Sequence, residues 1–214
     1  MPAKKGGFPV PTLTNWTSLF PKVNHGSKLF AAYEPRAKGV LAEVTRVGNG
    51  KRAVAVIIQL LTAAQARTVV CVPETKSGAL GLIAALESAG FTVYSRPEDV
   101  AKYAQTADAG ITEMEFAIAE TGSCVQNDDR VEKRLCSALP PLHIGLLMTE
   151  HILETIPDAF RIFSRVFDAG YISIITGPSR TADIERVLTI GMHGPARMIP
   201  VFIDSLGGNA DGKF

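Results

Sequence analysis

At 214 residues and 22.9 kDa, the chain is long enough to bury roughly 70% of its unfolded surface without disulfide or metal staples. Its 46% hydrophobic and 20% charged residues are the composition of an ordinary globular protein, and a net charge of +1 gives no global reason to bind nucleic acid or an acidic partner. The longest strongly apolar stretch, 53–61, is broken by Gln59 and falls far short of the ~20 residues of a membrane helix.

The charge is unevenly spread. Residues 1–40 carry six basic side chains (Lys4, Lys5, Lys22, Lys28, Arg36, Lys38) against Glu34 alone, which leaves sixteen basic and twenty acidic residues beyond them. Lys4 and Lys5 precede a Gly/Pro-containing segment where a signal peptide needs an apolar run. Three cysteines, Cys71, Cys124 and Cys136, form no C-x-x-C pair. Their odd number fits a reducing compartment, so a cytoplasmic location is expected. An iron–sulfur cluster usually takes four thiolates, and the four histidines show no zinc-like spacing with the cysteines. No metal or other cofactor is therefore expected on this chain.

Residues 1–27 hold Gly6, Gly7, Pro9, Pro11, Pro21 and Gly26 and read as an irregular basic arm, packed on its own domain or gripping a partner. Residues 28–214 read as a single α/β domain. Leu29, Phe30, Tyr33, Val40, Leu41, Val44 and Val47 recur at helical spacing, with an interruption expected at Pro35. Residues 53–66 form a second helical stretch, and 68–72 a β-branched strand. Ser77 is placed to cap a helix through Leu86 that Gly90 stops, 91–94 is a strand, and Pro97 sits where the next helix begins. Residues 143–148 form a strand, 150–167 a helical region divided by Pro157, and 171–176 and 198–204 two further strands. Short apolar strands alternating with helices predict a mostly parallel sheet flanked by helices, with ligand loops at the strands' carboxyl ends.

Three segments carry chemistry. In 176–185 (TGPSRTADIE) a buried strand meets a Gly-Pro turn, a hydroxyl cluster and a helix start with Thr181 as N-cap; Asp183 and Glu185 suit the positive end of that helix. Free amides there, with Ser179, Arg180 and Thr181, make an anion site or simply a capped turn. No G-x-G-x-x-G or Walker loop supports a dinucleotide or ATP. In 107–123, Thr112 can cap a one-turn helix with Glu115 three residues on. Glu120 precedes the bend Thr121-Gly122, where a carboxylate serves as base, nucleophile or loop anchor. In 191–195 (GMHGP), His193 lies between glycines and can act as acid or base. His143, at a strand start, reads as a buried, satisfied imidazole, while His25 and His151 have no local context. Cys124 and Cys136 flank the charged run 128–134, read as a solvated hairpin-like connection, and are two buried thiols or a redox pair.

Taken together, 107–112 (ADAGIT), 117–122 (AIAETG), 139–143 (LPPLH), 177–185 (GPSRTADIE) and 193–195 (HGP) resemble, in the same order, the LUD-domain family, in its lactate-utilisation protein C branch. The resemblance covers roughly residues 40–204, and GPSxTADIE is its most diagnostic segment. It implies a fold similar to the ribose-5-phosphate isomerase, glucosamine-phosphate deaminase and CoA-transferase group, with anionic ligands on strand-end loops. It also implies a component of a system oxidising L-lactate to pyruvate, whose iron–sulfur clusters sit on partner proteins. Two features depart from the pattern: Ser123-Cys124 replaces the usual hydroxyl-to-aliphatic run, and the basic arm lies outside it.

The expected site has Glu120 and His193 as acid–base residues. Gly177, Ser179, Arg180, Thr181, Asp183, Glu185, Thr121 and Gly122 would form a pocket for a small carboxylate, with Arg180 its direct contact. The alternatives are a free-standing CoA-transferase-like or sugar-phosphate-type enzyme using Glu120, or a non-catalytic interaction module.

Overall fold

The computed structural model describes residues 26–166, 170–181 and 189–207. Most of the basic arm, residues 1–25, lies outside them, as do Asp183 and Glu185.

In chain order the elements are α1 (Gly26–Gly39), β1 (Thr45–Val47), α2 (Gly50–Ala63), β2 (Thr68–Cys71), α3 (Thr75–Ala79), α4 (Leu82–Ser88), β3 (Thr92–Tyr94), α5 (Pro97–Tyr103), β4 (Ala109–Glu113), β5 (Phe116–Ile118) and β6 (Ser123–Asn127). There follow α6 (Val131–Ala138), β7 (Leu142–Met148), β8 (Ile152–Leu153), α7 (Ile156–Val166), β9 (Ile172–Ile175), β10 (Arg180–Thr181), β11 (Thr189–Ile190) and β12 (Arg197–Ile203).

Six strands pair in the order β1-β12-β7-β4-β2-β3, every neighbouring pair parallel. The chain is thus α/β, with a parallel central sheet flanked by helices. Side-chain alternation divides each strand between two cores. Ala109, Ile111, Leu142, Ile144, Leu146, Ile199, Val201 and Ile203 pack with Ala53, Ile57 and Leu61 of α2. Those α2 positions lie four apart, so they share one face of the helix, and Asn49 Oδ1 caps it by accepting the Arg52 N–H at 3.0 Å. On the opposite sheet face, Met114, Leu147, Met198 and Phe202 meet Phe30, Tyr33 and Ala37 of α1.

A second, mixed sheet, β8-β5-β6-β9, has antiparallel β5–β6 and β6–β9 pairs and a parallel β5–β8 pair. The sequence reading placed no strands in β5 or β6. Their residues are buried on both faces, all but Asn127, so no alternation marks them.

Five local expectations are corrected. Pro35 lies inside α1 rather than breaking it, because Phe30 and Tyr33 hold the helix on Phe202, with ring centroids 5.1 and 5.0 Å apart. Thr112 belongs to β4, whose five residues are all buried, not to a helix cap. Residues 75–88 split into α3 and α4 at Gly81, which is left-handed at φ 57°. The charged run 128–134 is no solvated hairpin: it leads into α6, with Asp128 and Lys133 buried. Pro157 sits in the first turn of α7 rather than dividing a helix.

Candidate functional site

The 177–181 segment leaves β9 of the mixed sheet. Gly177 has φ 72°, and a Cβ on it would collide with the Val40 carbonyl, so only glycine makes this turn against the end of α1. Beyond it the Ser179 N–H donates to the Pro195 carbonyl and the Gly191 N–H to the Ser179 carbonyl, each at 2.8 Å. The ribbon β10–β11 continues that pairing, Arg180 opposite Ile190 and Thr181 opposite Thr189. Two loops distant in sequence are thereby latched together, and a Cβ on Gly194 would press on the Ser179 side chain, 3.3 Å from its hydroxyl.

Between these loops and the parallel sheet lies a cleft of about 340 Å³. Its polar wall is Ser137, His143, Ser173, Thr176, Ser179 and His193, against apolar Ile175, Pro195 and Met198. His143 and Met198 are register partners near the amino ends of β7 and β12. The cleft therefore lies at the amino edge of these two strands, not at the carboxyl edge where the sequence reading looked. No lysine or arginine lines it among the described residues, so an anion there would meet hydroxyls and the His193 imidazole.

Beneath the cleft is a buried polar network. Gln126 Nε2 donates to Asp128, to the Ser137 hydroxyl at 2.9 Å and to the Lys133 carbonyl at 3.5 Å. Thr112 Oγ1 donates to Gln126 Oε1 and lies 2.9 Å from His143 Nε2. Asp128 also accepts from the Ser173 hydroxyl. Burial pushes the His143 imidazole down to about 3, so the ring is neutral near physiological pH. Its Nδ1 is buried and has no hydrogen-bond partner among the described residues. His143 was expected to be a satisfied imidazole; one of its nitrogens is satisfied and the other is not.

The expected site residues divide into groups. Gly177, Ser179 and His193 meet in the cleft. Thr121 reaches it indirectly: its hydroxyl lies 2.7 Å from Ser123 Oγ, which lies 2.8 Å from Thr176 Oγ1. Gly122, at φ 68°, brings the bend against α1, where a Cβ would collide with the Ala37 backbone. Arg180 and Thr181 lie on β10, outside the lining, and Arg180 is exposed. Glu120 also lies outside it: exposed, it accepts the Ile156 N–H at 2.9 Å and so holds the start of α7. Thr112, Gln126, Ser137, His143 and Ser173 received no site role from the sequence. Their one signal was polarity inside apolar strands, as at Thr112, Gln126 and His143.

The carboxyl edge of β2 and β4 carries a separate ionic cluster. Lys133 Nζ, with a side chain 2% exposed, lies 3.1 Å from both Glu74 Oε2 and Glu115 Oε1. Glu113 Oε1 accepts the Ser77 N–H at 2.6 Å while Oε2 lies 3.4 Å from Lys76 Nζ. Burial alone would lower the Lys133 ammonium, but Glu115 and Glu74 outweigh it and hold it above its ordinary value. Burial raises Glu115, against the pull of Lys133. His151 nearby is pushed down to about 4, by burial first and Lys76 second.

The three cysteines are free and buried. Burial raises all three thiols, Cys124 and Cys136 to about 12, so the redox-pair alternative for the last two has no thiolate to start from. Among the described residues, no group of three or more His, Cys, Asp or Glu side chains is placed to hold a metal ion. No described helix is long and apolar enough to cross a membrane.

A parallel-sheet α/β protein with a loop-built cleft of this size suits a small polar ligand. The LUD domain family model matches residues 31–203, and the chain belongs to that family. It is 32% identical over 114 residues to Lactate utilization protein C 1 of Bacillus mycoides (strain KBAB4), covering 51% of this chain and 48% of that protein. It is 32% identical over 111 residues to Lactate utilization protein C of Bacillus subtilis (strain 168), covering 50% of this chain and 46% of that one. The chain thus spans about half the length of the curated relatives it matches. The crystal structure of a DUF162 family protein from Deinococcus radiodurans covers 83% of this chain and is itself covered to 98%, with TM-score 0.58 and 21% identity; it shares the fold.

Proposed function

We propose that this protein is a component of a lactate-utilisation system and that its cleft binds the small carboxylate. The observation that carries the reading is the similarity to proteins named lactate utilization protein C, joined to a cleft walled by hydroxyls and an imidazole. Ser179 and Thr176 offer O–H donors to a carboxylate, and His193 at the rim can donate to it or take a proton. Arg180, one residue beyond Ser179, adds positive charge near the mouth. Glu120, engaged at the start of α7, serves the loop rather than the ligand.

Oxidising a 2-hydroxy acid to its keto acid removes a hydride equivalent and a proton. The electrons go to iron–sulfur clusters on partner proteins, and this chain contributes binding and orientation. The test is growth on L-lactate of a strain lacking the chain, complemented with wild type, Ser179→Ala or His193→Ala, together with co-purification of iron-containing partners. The reading expects growth to be lost on deletion, restored by wild type and impaired with either variant. Undiminished growth of the deletion strain would overturn it.

A further inference from the structure

The mixed sheet ends at β9, whose far side pairs with no strand among the described residues. Successive residues of a strand turn their N–H and C=O groups to opposite sides. The Tyr171 carbonyl accepts the Asp128 N–H at 2.7 Å on the β6 side, so Ser173 and Ile175 face β6 as well. Ile172 and Ile174 therefore turn their backbone groups outward, where no described strand meets them.

Such an edge accepts a further strand unless a charge, a proline or shortness blunts it. β8, at the other margin of this sheet, has two residues, and its Ile152 packs among Phe30, Tyr33 and Ala37 of α1. β1, at the margin of the parallel sheet, carries Arg46. β9 has none of these protections: residues 170–177 read GYISIITG, without charge or proline. It also exposes apolar side chains on both faces. Ile174 is 45% exposed on the face where Ile172 packs against α7. Tyr171 is 68% exposed on the other face, with the Arg134 guanidinium of α6 4.3 Å from its ring centroid. Val131, one turn before Arg134, and Phe160, edge-on to Phe163 of α7, are exposed too.

We propose that β9 is a dimerisation strand. It pairs antiparallel with β9 of a second copy of this chain, about a two-fold axis at Ser173, and joins two four-stranded sheets into one continuous sheet. The strand matches its own copy. Its two outward residues lie two apart, so Ile172 of each copy faces Ile174 of the other, and each pair exchanges both backbone hydrogen bonds. Isoleucine then meets isoleucine on the α7 face. On the opposite face Tyr171 of one copy meets Ile175 of the other, an aromatic to β-branched pair. Residues 170–176, the span that faces itself, carry no charge, so no like charges are opposed, and the symmetry makes every contact twice. Ile175 lines the cleft, so Tyr171 of the second copy stands beside that wall. A strand pair alone covers much less than the ~1,200 Å² of a stable interface. Val131 and Phe160 on the flanking helices extend it, and the dimer dissociates in the micromolar range.

Sedimentation equilibrium of the full chain, from about 1 to about 100 μM, reads the mass directly. The wild type should rise with concentration from 22.9 kDa towards twice that value. Ile174→Pro removes an outward N–H that the monomer does not use, a change that an edge strand tolerates. It should raise the dissociation constant about tenfold or more, and so should Ile174→Lys. Ile190→Lys, at an isoleucine of β11 that is 44% exposed, should leave the mass as in wild type. Ser173→Cys, on the axis, should cross-link two copies under mild oxidation, because facing residues there bring their Cβ atoms to about 4.5 Å, while the native cysteines are buried. A wild type that stays monomeric throughout would overturn the proposal and leave the edge to a different protein. A dimer that both Ile174 variants leave intact, or that Ser173→Cys does not cross-link, would overturn it by placing the contact elsewhere. Circular dichroism checks each fold; if one Ile174 variant does not fold, the other and the cross-link decide.

Discussion

Replacing Lys133 by methionine isolates the buried ionic cluster. Methionine keeps the volume and apolar stem and deletes only the ammonium. At an effective dielectric constant of about 20, each 3.1 Å contact represents roughly 5 kcal/mol of gross attraction. The cost of burying the ammonium cancels much of it, but removing one partner alone strands the others, typically at about 3–5 kcal/mol. Two carboxylates are stranded here, with side chains 23% exposed at Glu74 and 16% at Glu115. Water reaches the first more than the second, so a loss of about 3 kcal/mol is expected at pH 7. The pH dependence follows from Glu115, already raised by burial with Lys133 present. Without the ammonium it rises further, and an acid raised in the folded state destabilises above its unfolded value and ceases to as pH falls. The deficit should therefore shrink between pH 7 and pH 5. Glu115→Gln added to Lys133→Met should recover part of it, since a glutamine oxygen can still accept the Asn127 N–H that Glu115 Oε2 holds at 2.7 Å. Urea unfolding followed by circular dichroism measures all three chains. A deficit under about 1 kcal/mol at pH 7, or one that does not change with pH, would refute the reasoning.

Other perturbations probe the same framework. His143 and His151 are depressed to about 3 and about 4, so the unfolded chain binds their protons first as pH falls below about 6.5. Each should take away roughly 2 kcal/mol between pH 7 and pH 5, partly offset by Glu115; a chain as stable to urea at pH 5 as at pH 7 would contradict their burial. Gly177→Ala forces a Cβ into the Val40 carbonyl at positive φ and should cost about 1–3 kcal/mol and weaken carboxylate binding, as calorimetry would register. Glu120→Ala removes the acceptor for the Ile156 N–H and should cost about 1 kcal/mol while leaving L-lactate affinity unchanged. Lost affinity at unchanged stability would return Glu120 to the binding site.

Much of the parallel sheet was legible in the sequence. β2, β3, β7 and β12 announce themselves as short β-branched, aromatic or aliphatic runs, and Pro97 marks the first residue of α5. Of the mixed sheet β9 was legible in the same way, but β5 and β6 were not, because they are short and buried on both faces and show no alternation. The charged run before α6 looked solvated because burial of Lys133 depends on Glu74, 59 residues earlier in the chain. The candidate site was half visible. Glycine, hydroxyl and histidine at loop positions pointed to Gly177, Ser179 and His193, which the latch between their loops brings together. The floor was invisible for a different reason. His143 is held by Thr112, 31 residues earlier in the chain, which in turn bonds to Gln126, 14 residues after Thr112. Such a network exists only once the chain is assembled and leaves no local signature.

The account turns on where a small carboxylate binds. A crystal structure of the full chain with L-lactate would answer this most directly. It should place the carboxylate between Ser179 and His193. L-lactate bound instead beside Glu120, or at the carboxyl edge among Glu74, Glu113 and Lys133, with the cleft empty, would contradict it.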